Sequence, residues 1–277
     1  MLTGASENSG VRLLTVRELP AALQLSSLAG WNQTAAEWQL LLEVASDSCF
    51  CIAVGGVLAA TATLIPYGSR LGWIGMVLTH PEFRKRGFAR RLLTHCVGHA
   101  DALGIRTLKL DATEQGQHLY ESLGFVPEQT VERWIRSCPP SRERPVSITG
   151  KSSLALADDA LAFGADRSQL LERLSRHSNC FAAANSYLLS RTGRIYRYLG
   201  PCVARDLKTA NQLFQLALGN SSERECAWDF LANNHGAKSL AEDLGFGPHR
   251  RLLRMSRGEQ LRSRDDLIYA IAGFEFG

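Results

Sequence analysis

Gly72-Trp73-Ile74-Gly75-Met76-Val77-Leu78, followed after a short gap by Arg84-Lys85-Arg86-Gly87-Phe88-Ala89, is the stretch around which the rest of the chain is arranged. Its first part is an apolar run of strand type. Downstream, Ala89, Leu92, Leu93, Cys96, Val97, Ala100 and Leu103 recur at helical spacing, and Gly104 stands where a helix ends. The order is strand, glycine-containing turn, helix. The first four N–H groups of a helix lack intrahelical partners, and the helix dipole places partial positive charge there, so such a turn offers donors to an anion. Gly87 lets a ligand approach the backbone, and Arg84, Lys85, Arg86, Arg90 and Arg91 gather five cations at one helix start. A pyrophosphate suits this chemistry.

The pattern Arg-x-x-Gly-x-Ala from Arg84 to Ala89 resembles the acyl-CoA pyrophosphate loop of the GNAT superfamily of acyltransferases. Leu119-Tyr120-Glu121-Ser122-Leu123-Gly124-Phe125 resembles that superfamily's next motif, and the two stand in the family's order. The resemblance implies acetyl-CoA as cosubstrate, held at Arg84, Lys85, Arg86, Gly87, Phe88 and Ala89. It also implies that pantetheine lies along Met76, Val77 and Leu78 like an added strand, with a backbone N–H, that of Val77, facing the thioester oxygen. Tyr120 occupies the family position from which a phenol protonates the CoA sulfur, and a phenol of ordinary pKa, about 10, is protonated at neutral pH. A tyrosine packed on the sheet is the plainer account of the same residue. The strand Trp73 to Leu78 lacks the carboxylate that some members place there, which leaves the general base unassigned. Asp229 and Glu114 are the further carboxylates to consider, although helix capping is the ordinary role of each. No metal is implied.

At 277 residues the chain suits two domains of about 130–140 residues each. With 45% hydrophobic and 21% charged residues it has the composition of a soluble globular protein. The polar start, Met1 to Gly10, has no signal-peptide pattern, and no apolar run approaches the roughly 20 residues that cross a bilayer, so a cytoplasmic protein is expected. The seven cysteines are scattered through apolar segments and read as core thiols, Cys49 and Cys51 sharing one strand face. A net charge of +4 supports a nucleic-acid partner only weakly.

Val11 to Leu19 contains a first strand, Pro20 to Leu28 a helix, and Leu40 to Val44 another. Cys49–Val54 and Val57–Ile65 flank the Gly55-Gly56 turn as a hairpin, and Trp73–Leu78 continues the sheet. Beyond the long helix come a strand (Ile105–Asp111), a short helix (Gln117–Leu123) and a last strand (Val131–Ile135). Ser137 to Gly150 has three prolines and no apolar period, which marks a linker. The remainder repeats the first part. Ala89-x-x-Leu92-Leu93 is echoed by Ala210-x-x-Leu213-Phe214, Asp111 by Asp229, and Leu119 to Pro127 by Leu240-Ala241-Glu242-Asp243-Leu244-Gly245-Phe246-Gly247-Pro248. The expectation is an α/β (α+β) protein of tandem GNAT-like domains, each a mixed, mostly antiparallel sheet flanked by helices: residues 1–137 catalytic, 138–150 linker, 151–277 a degenerate copy.

In that copy the phosphate turn is replaced by Arg205-Asp206-Leu207-Lys208-Thr209-Ala210, where Asp206 as an N-cap satisfies the free N–H groups itself and repels a second anion. Tyr120 is replaced by Ala241. One CoA site per chain is expected. Ala162 to Ser168, Leu199 to Ala204 and Ala272 to Gly277 further resemble the bacterial two-domain GNAT proteins, as does Gly30-Trp31-Asn32-Gln33-Thr34. In GNAT folds that last connection overhangs the acceptor pocket, which makes Trp31, Asn32 and Gln33 candidates for acceptor binding, with Asp229 beside them; a plain helix–helix connection weighs equally. The function these features imply is acetyl transfer from acetyl-CoA to a primary amine of a small molecule. A CoA-binding regulator with vestigial chemistry is the alternative, and oligomeric state is not legible.

Overall fold

Apolar alternation and helical periodicity become twelve strands and eight α-helices among the described residues of a computed structural model, which are 10–137, 154–183, 185–219 and 225–277. The expected linker, 138–150, lies outside them. The chain divides into two compact units, residues 1–108 and 109–277. This division follows contacts, whereas the boundaries drawn from the repeat follow sequence.

In the first unit, β1 (Arg12–Leu13), β2 (Cys49–Val54), β3 (Val57–Tyr67) and β4 (Leu71–Thr79) form an antiparallel run. Only Arg12–Leu13 of the expected first strand is extended. The Glu18 carboxylate accepts from the Thr15 N–H at 2.9 Å and sets a 3₁₀ turn over Val16–Glu18. Helix α1 (Leu19–Leu28) carries Pro20 in its first turn, where no intrahelical donor is lost. Helix α2 (Ala35–Val44) starts well before its apolar run, because Thr34 and Glu37 form a capping box: Glu37 accepts from the Thr34 N–H at 2.8 Å and donates its own N–H to the Thr34 hydroxyl at 3.3 Å. The buried Trp38 ties the two helices together through its indole N–H, 3.2 Å from Ser26 Oγ. Helix α3 (Phe88–Ala102) buries Phe88, Leu92, Leu93, Cys96 and Ala100 and packs on β2, β3 and β4. Cys49, Cys51 and Cys96 are fully buried, and burial pushes the Cys49 thiol up to about 12 and that of Cys51 to about 11, as expected of inert core thiols.

β5 (Thr107–Ala112) spans the division. The second unit contains α4 (Glu114–Glu121), β6 (Val126–Ser137), α5 (Leu156–Phe163), α6 (Ser168–Ser175), β7 (Asn179–Ala183), β8 (Ser186–Thr192), β9 (Arg197–Val203), α7 (Leu207–Gly219), β10 (Glu225–Leu231), α8 (His235–Asp243), β11 (Gly247–Gly258) and β12 (Ile268–Ala270). Its strand order is β5-β11-β6-β10-β9-β8-β7, with β12 paired to β9. β9 and β10 are parallel; the β6–β10, β6–β11, β7–β8, β8–β9 and β9–β12 pairs are antiparallel. The last strands of the two repeat copies are exchanged: β11 lies beside β5, and β6 beside β10. Partners on both edges extend β6 well beyond the Val131–Ile135 core that its alternation marks.

Two reciprocal ion pairs fasten the exchange. Arg254 on β11 grips Asp111 of β5 with two bonds of 2.8 and 2.9 Å, and Arg133 on β6 grips Asp229 of β10 with two of 2.7 and 2.6 Å. Each arginine stands nine residues beyond its copy's glycine, Gly124 or Gly245, so the pairs are equivalent and crossed. Bidentate geometry and burial of both partners make them strong and specific. Beside them, Trp228 stacks on Phe214 with ring centres 3.7 Å apart and anchors the apolar core of the second copy.

Candidate active site

β4 is not a regular strand. Thr61 of β3 faces Leu78 and Thr63 faces Gly75, so Ala62 confronts both Met76 and Val77: β4 carries one extra residue, a β-bulge. Met76 accommodates it with φ of 49°, a left-handed conformation that non-glycine residues rarely adopt. The Thr61 hydroxyl, fully buried, donates to the Met76 carbonyl at 2.8 Å and holds the bulge from the neighbouring strand. Val77 is half-buried between buried Met76 and Leu78. Gly75, a glycine inside a strand pattern, is the sequence signal for such a bulge; Thr61 carries no such signal, because its role depends on a strand 15 residues away.

From β4 the chain passes through a 3₁₀ turn, Pro81–Phe83, into the cationic turn. Arg84 is extended, Lys85 has φ of 61°, and Gly87 caps α3 with φ of 79°. A Cβ at Gly87 would meet nothing within 4 Å, so the glycine is required by conformation and not by crowding within the protein. Arg84, Lys85, Arg86 and Gly87 are exposed, whereas Phe88 is buried and roots the turn. Arg86 lies over the rings of Phe83 and Phe88, at 5.5 and 5.2 Å, and Arg91 lies 5.8 Å from Phe88. Cation–π contact of this kind orients the guanidinium groups around the helix start. Met76, Val77, Leu78 and the residues of the turn thus lie in one compact unit, on consecutive elements.

The α1–α2 connection belongs to the same unit. Gly30 has φ of 71°, the Trp31 N–H donates to the Ser26 carbonyl at 2.9 Å, Trp31 is half-buried, and Asn32 and Gln33 are buried. The cap of α2 is Thr34, and neither amide residue fills that position.

Tyr120 and Asp229 lie in the second unit. Tyr120 is buried near the end of α4, edge-on to Phe125 with ring centres 6.2 Å apart. One turn earlier, Gly116 leaves room for that ring: a Cβ there would come within 2.8 Å of Tyr120 Cε2. Glu114 opens α4, whose cap is Thr113. Asp229 sits inside β10 with its carboxylate taken up by Arg133, and the cap of α8 is Asn234. Burial alone would lower the Arg133 guanidinium, but Asp229 more than reverses this and leaves it raised. At the start of α7, the Asp206 carboxylate accepts the Thr209 N–H at 2.8 Å. Among the described residues, no group of three or more His, Cys, Asp or Glu is placed to hold a metal ion, and no helix is long and apolar enough to cross a membrane.

A mixed, mostly antiparallel sheet whose bulged strand runs into a cationic glycine turn and helix defines an acyltransferase of the GNAT class. Residues 18–125 match the acetyltransferase (GNAT) family and residues 155–270 match an acetyltransferase (GNAT) domain. The chain belongs to the GNAT family of N-acetyltransferases, which use acetyl-CoA, and carries two GNAT domains in tandem. It is 30% identical over 214 residues to the uncharacterized N-acetyltransferase YitH of Bacillus subtilis, a match covering 71% of this chain and 74% of that protein. Over 135 residues it is 30% identical to the [ribosomal protein bS18]-alanine N-acetyltransferase of Salmonella typhimurium, covering 44% of this chain and 84% of that one. In fold it is similar to a putative acetyltransferase from Pyrococcus horikoshii, with a TM-score of 0.85 at 20% identity, covering 100% of this chain and 99% of the other. A tandem GNAT protein from the clavulanic acid biosynthesis pathway follows with a TM-score of 0.61 at 17% identity, covering 90% of this chain and 98% of its own.

Proposed function

We propose that this N-acetyltransferase moves the acetyl group of acetyl-CoA to a primary amine of a small molecule, by direct attack in a ternary complex, with its chemistry in the first GNAT copy. The observation that supports this best is the turn before α3: two left-handed residues, Lys85 and Gly87, turn backbone and cations toward one exposed helix start. Arg84, Lys85, Arg86, Gly87, Phe88 and Ala89 hold the pyrophosphate. Pantetheine lies along Met76, Val77 and Leu78, and the Val77 N–H donates to the thioester oxygen as negative charge builds on it. One preorganised donor of this kind contributes a few kcal/mol in the transition state.

The neutral amine attacks the thioester carbon, the carbon–sulfur bond breaks, and Tyr120 gives its proton to the departing thiolate. The proton lost from the new ammonium group passes to water. Trp31, Asn32 and Gln33 bind the acceptor; Asp229 is a further candidate, whose engagement by Arg133 favours a structural role. The second copy is degenerate: its α7 is capped by Asp206, which occupies the N–H groups a phosphate would need.

Thiol release from acetyl-CoA, followed over amino acids, polyamines, aminoglycosides and peptide N-termini beside the Tyr120→Phe protein, tests this. Amine-dependent release is expected, with kcat lower by about 10²-fold in Tyr120→Phe. Peptides belong in the panel because one relative is named for acetylating an alanine of a ribosomal protein, bS18. Unchanged release in Tyr120→Phe would remove it as the acid, and loss of acetyl-CoA binding in the wild type would overturn the assignment of the turn.

A further inference from the structure

In the second copy, the place that corresponds to the pantetheine strand is filled from within the chain. β9 and β10 run parallel and pair over Arg197–Leu199 and Cys226–Trp228. Gly200 follows, standing where Met76 stands in β4: Met76-Val77 lie between the Thr63–Gly75 and Thr61–Leu78 pairs, and Gly200-Pro201 between the Ser190–Leu199 and Leu188–Cys202 pairs, so each strand bulges at the same place in its copy. There β12 enters. It pairs antiparallel with β9 at Cys202 and Val203. On its other side the Ile271 N–H donates to the Asp229 carbonyl of β10 at 3.0 Å, and the Trp228 indole donates to the Tyr269 carbonyl at 2.7 Å.

The segment after β12 is held as firmly. The Tyr198 hydroxyl donates to the Ile271 carbonyl at 3.0 Å, and Arg191 donates to the carbonyls of Gly200 and Ala272, each at 2.7 Å. Ile268, Tyr269, Ala270, Ile271, Ala272 and Phe276 are all buried. The approach is so close that a Cβ on Gly200 would lie 2.3 Å from the Ile271 carbonyl oxygen. An extended chain with amide donors and acceptors facing strands on both sides offers what a pantetheine arm, with its two amides, would offer in its place.

We infer that β12 is a resident internal occupant of the second copy's cofactor groove, so that this copy binds no acyl-CoA. This rests on the assignment of Met76–Leu78 as the pantetheine strand. The connection ahead of the helix agrees with it: residues 204–206 join β9 to α7, against residues 80–87 between β4 and α3, too short a span for a comparable phosphate turn.

The test is calorimetry with acetyl-CoA on the full chain, together with hydrogen exchange in its free and saturated states. One equivalent should bind, exchange should slow over residues 76–91, and residues 268–276 should be as protected as β9 and β10, with or without ligand. A second equivalent, or faster exchange of 268–276 on saturation, overturns the internal occupant. Absence of slowing over 76–91 overturns instead the assignment of the first copy from which the inference starts. In Gly200→Ala, exchange of 268–276 should rise by about tenfold or more while that of 76–91 holds; no rise would also overturn it.

Discussion

Met76 carries a conformation that costs of order 1–3 kcal/mol for a residue with a side chain. The Thr61 hydroxyl offsets part of that cost, and through the bulge it fixes where the Val77 N–H points. Thr61→Val keeps the shape and removes the donor. It should lower kcat about tenfold, as expected for a misaimed oxyanion donor, with KM for acetyl-CoA nearly unchanged, while Thr61→Ser should retain activity. Steady-state thiol release checks this, and equal kcat in Thr61→Val would dismiss the role. Gly116 makes a parallel case. Gly116→Ala should displace the Tyr120 ring and reduce kcat without loss of acetyl-CoA binding, as calorimetry beside kinetics would show. Neither Thr61 nor Gly116 was legible beforehand, because each acts on a neighbour across a strand or a helical turn. Gly87 was legible, because a glycine in a basic turn before a helix carries its own physical reason.

Among the elements, the sequence was clearest where period and punctuation agreed, as in α3 and in the β2–β3 hairpin. It was least clear where a side chain set the boundary: the Thr34–Glu37 box starts α2 earlier than its apolar run, and flanking strands lengthen β6. Asp206 at the start of α7 gives a pH prediction. The Thr209 N–H and hydroxyl hold its carboxyl below the ordinary value. Its stabilisation is therefore full above the unfolded value, about 3.9, and fades as pH falls through the lower folded one. Asp206→Ala should lower Tm at neutral pH, and the difference from wild type should vanish in strong acid; thermal melts across that range decide it. The crossed pairs give a larger effect. Arg254→Met strands a buried Asp111 carboxylate and should cost about 3–5 kcal/mol in urea unfolding, with much of that recovered when Asp111→Leu is added.

For the whole molecule, the repeat announced two copies of one fold, but not that they trade their last strands. Nothing in a strand's own alternation names its partner, and the reciprocal arginines are visible as partners only once Asp111 and Asp229 are placed in space. The exchange makes separation of the halves costly. Residues 1–137 made alone would leave β6 without β10 and β11 on its two edges, and a long unpaired strand invites association. That fragment should aggregate or remain open to protease, and co-expression with residues 138–277 should restore protection. A well-folded, protease-resistant 1–137 would contradict this.

The exchange also sets an order of events at the ribosome. β5 is synthesised early, yet the strand that covers its edge, β11, is among the last to emerge. At about 5–20 residues per second, the interval from Ala112 to Gly247 lasts on the order of 10 s, during which the first copy is translated but not closed. Any slowing of translation over the second copy prolongs that exposure, so the yield of folded protein should depend on how fast its second half is read.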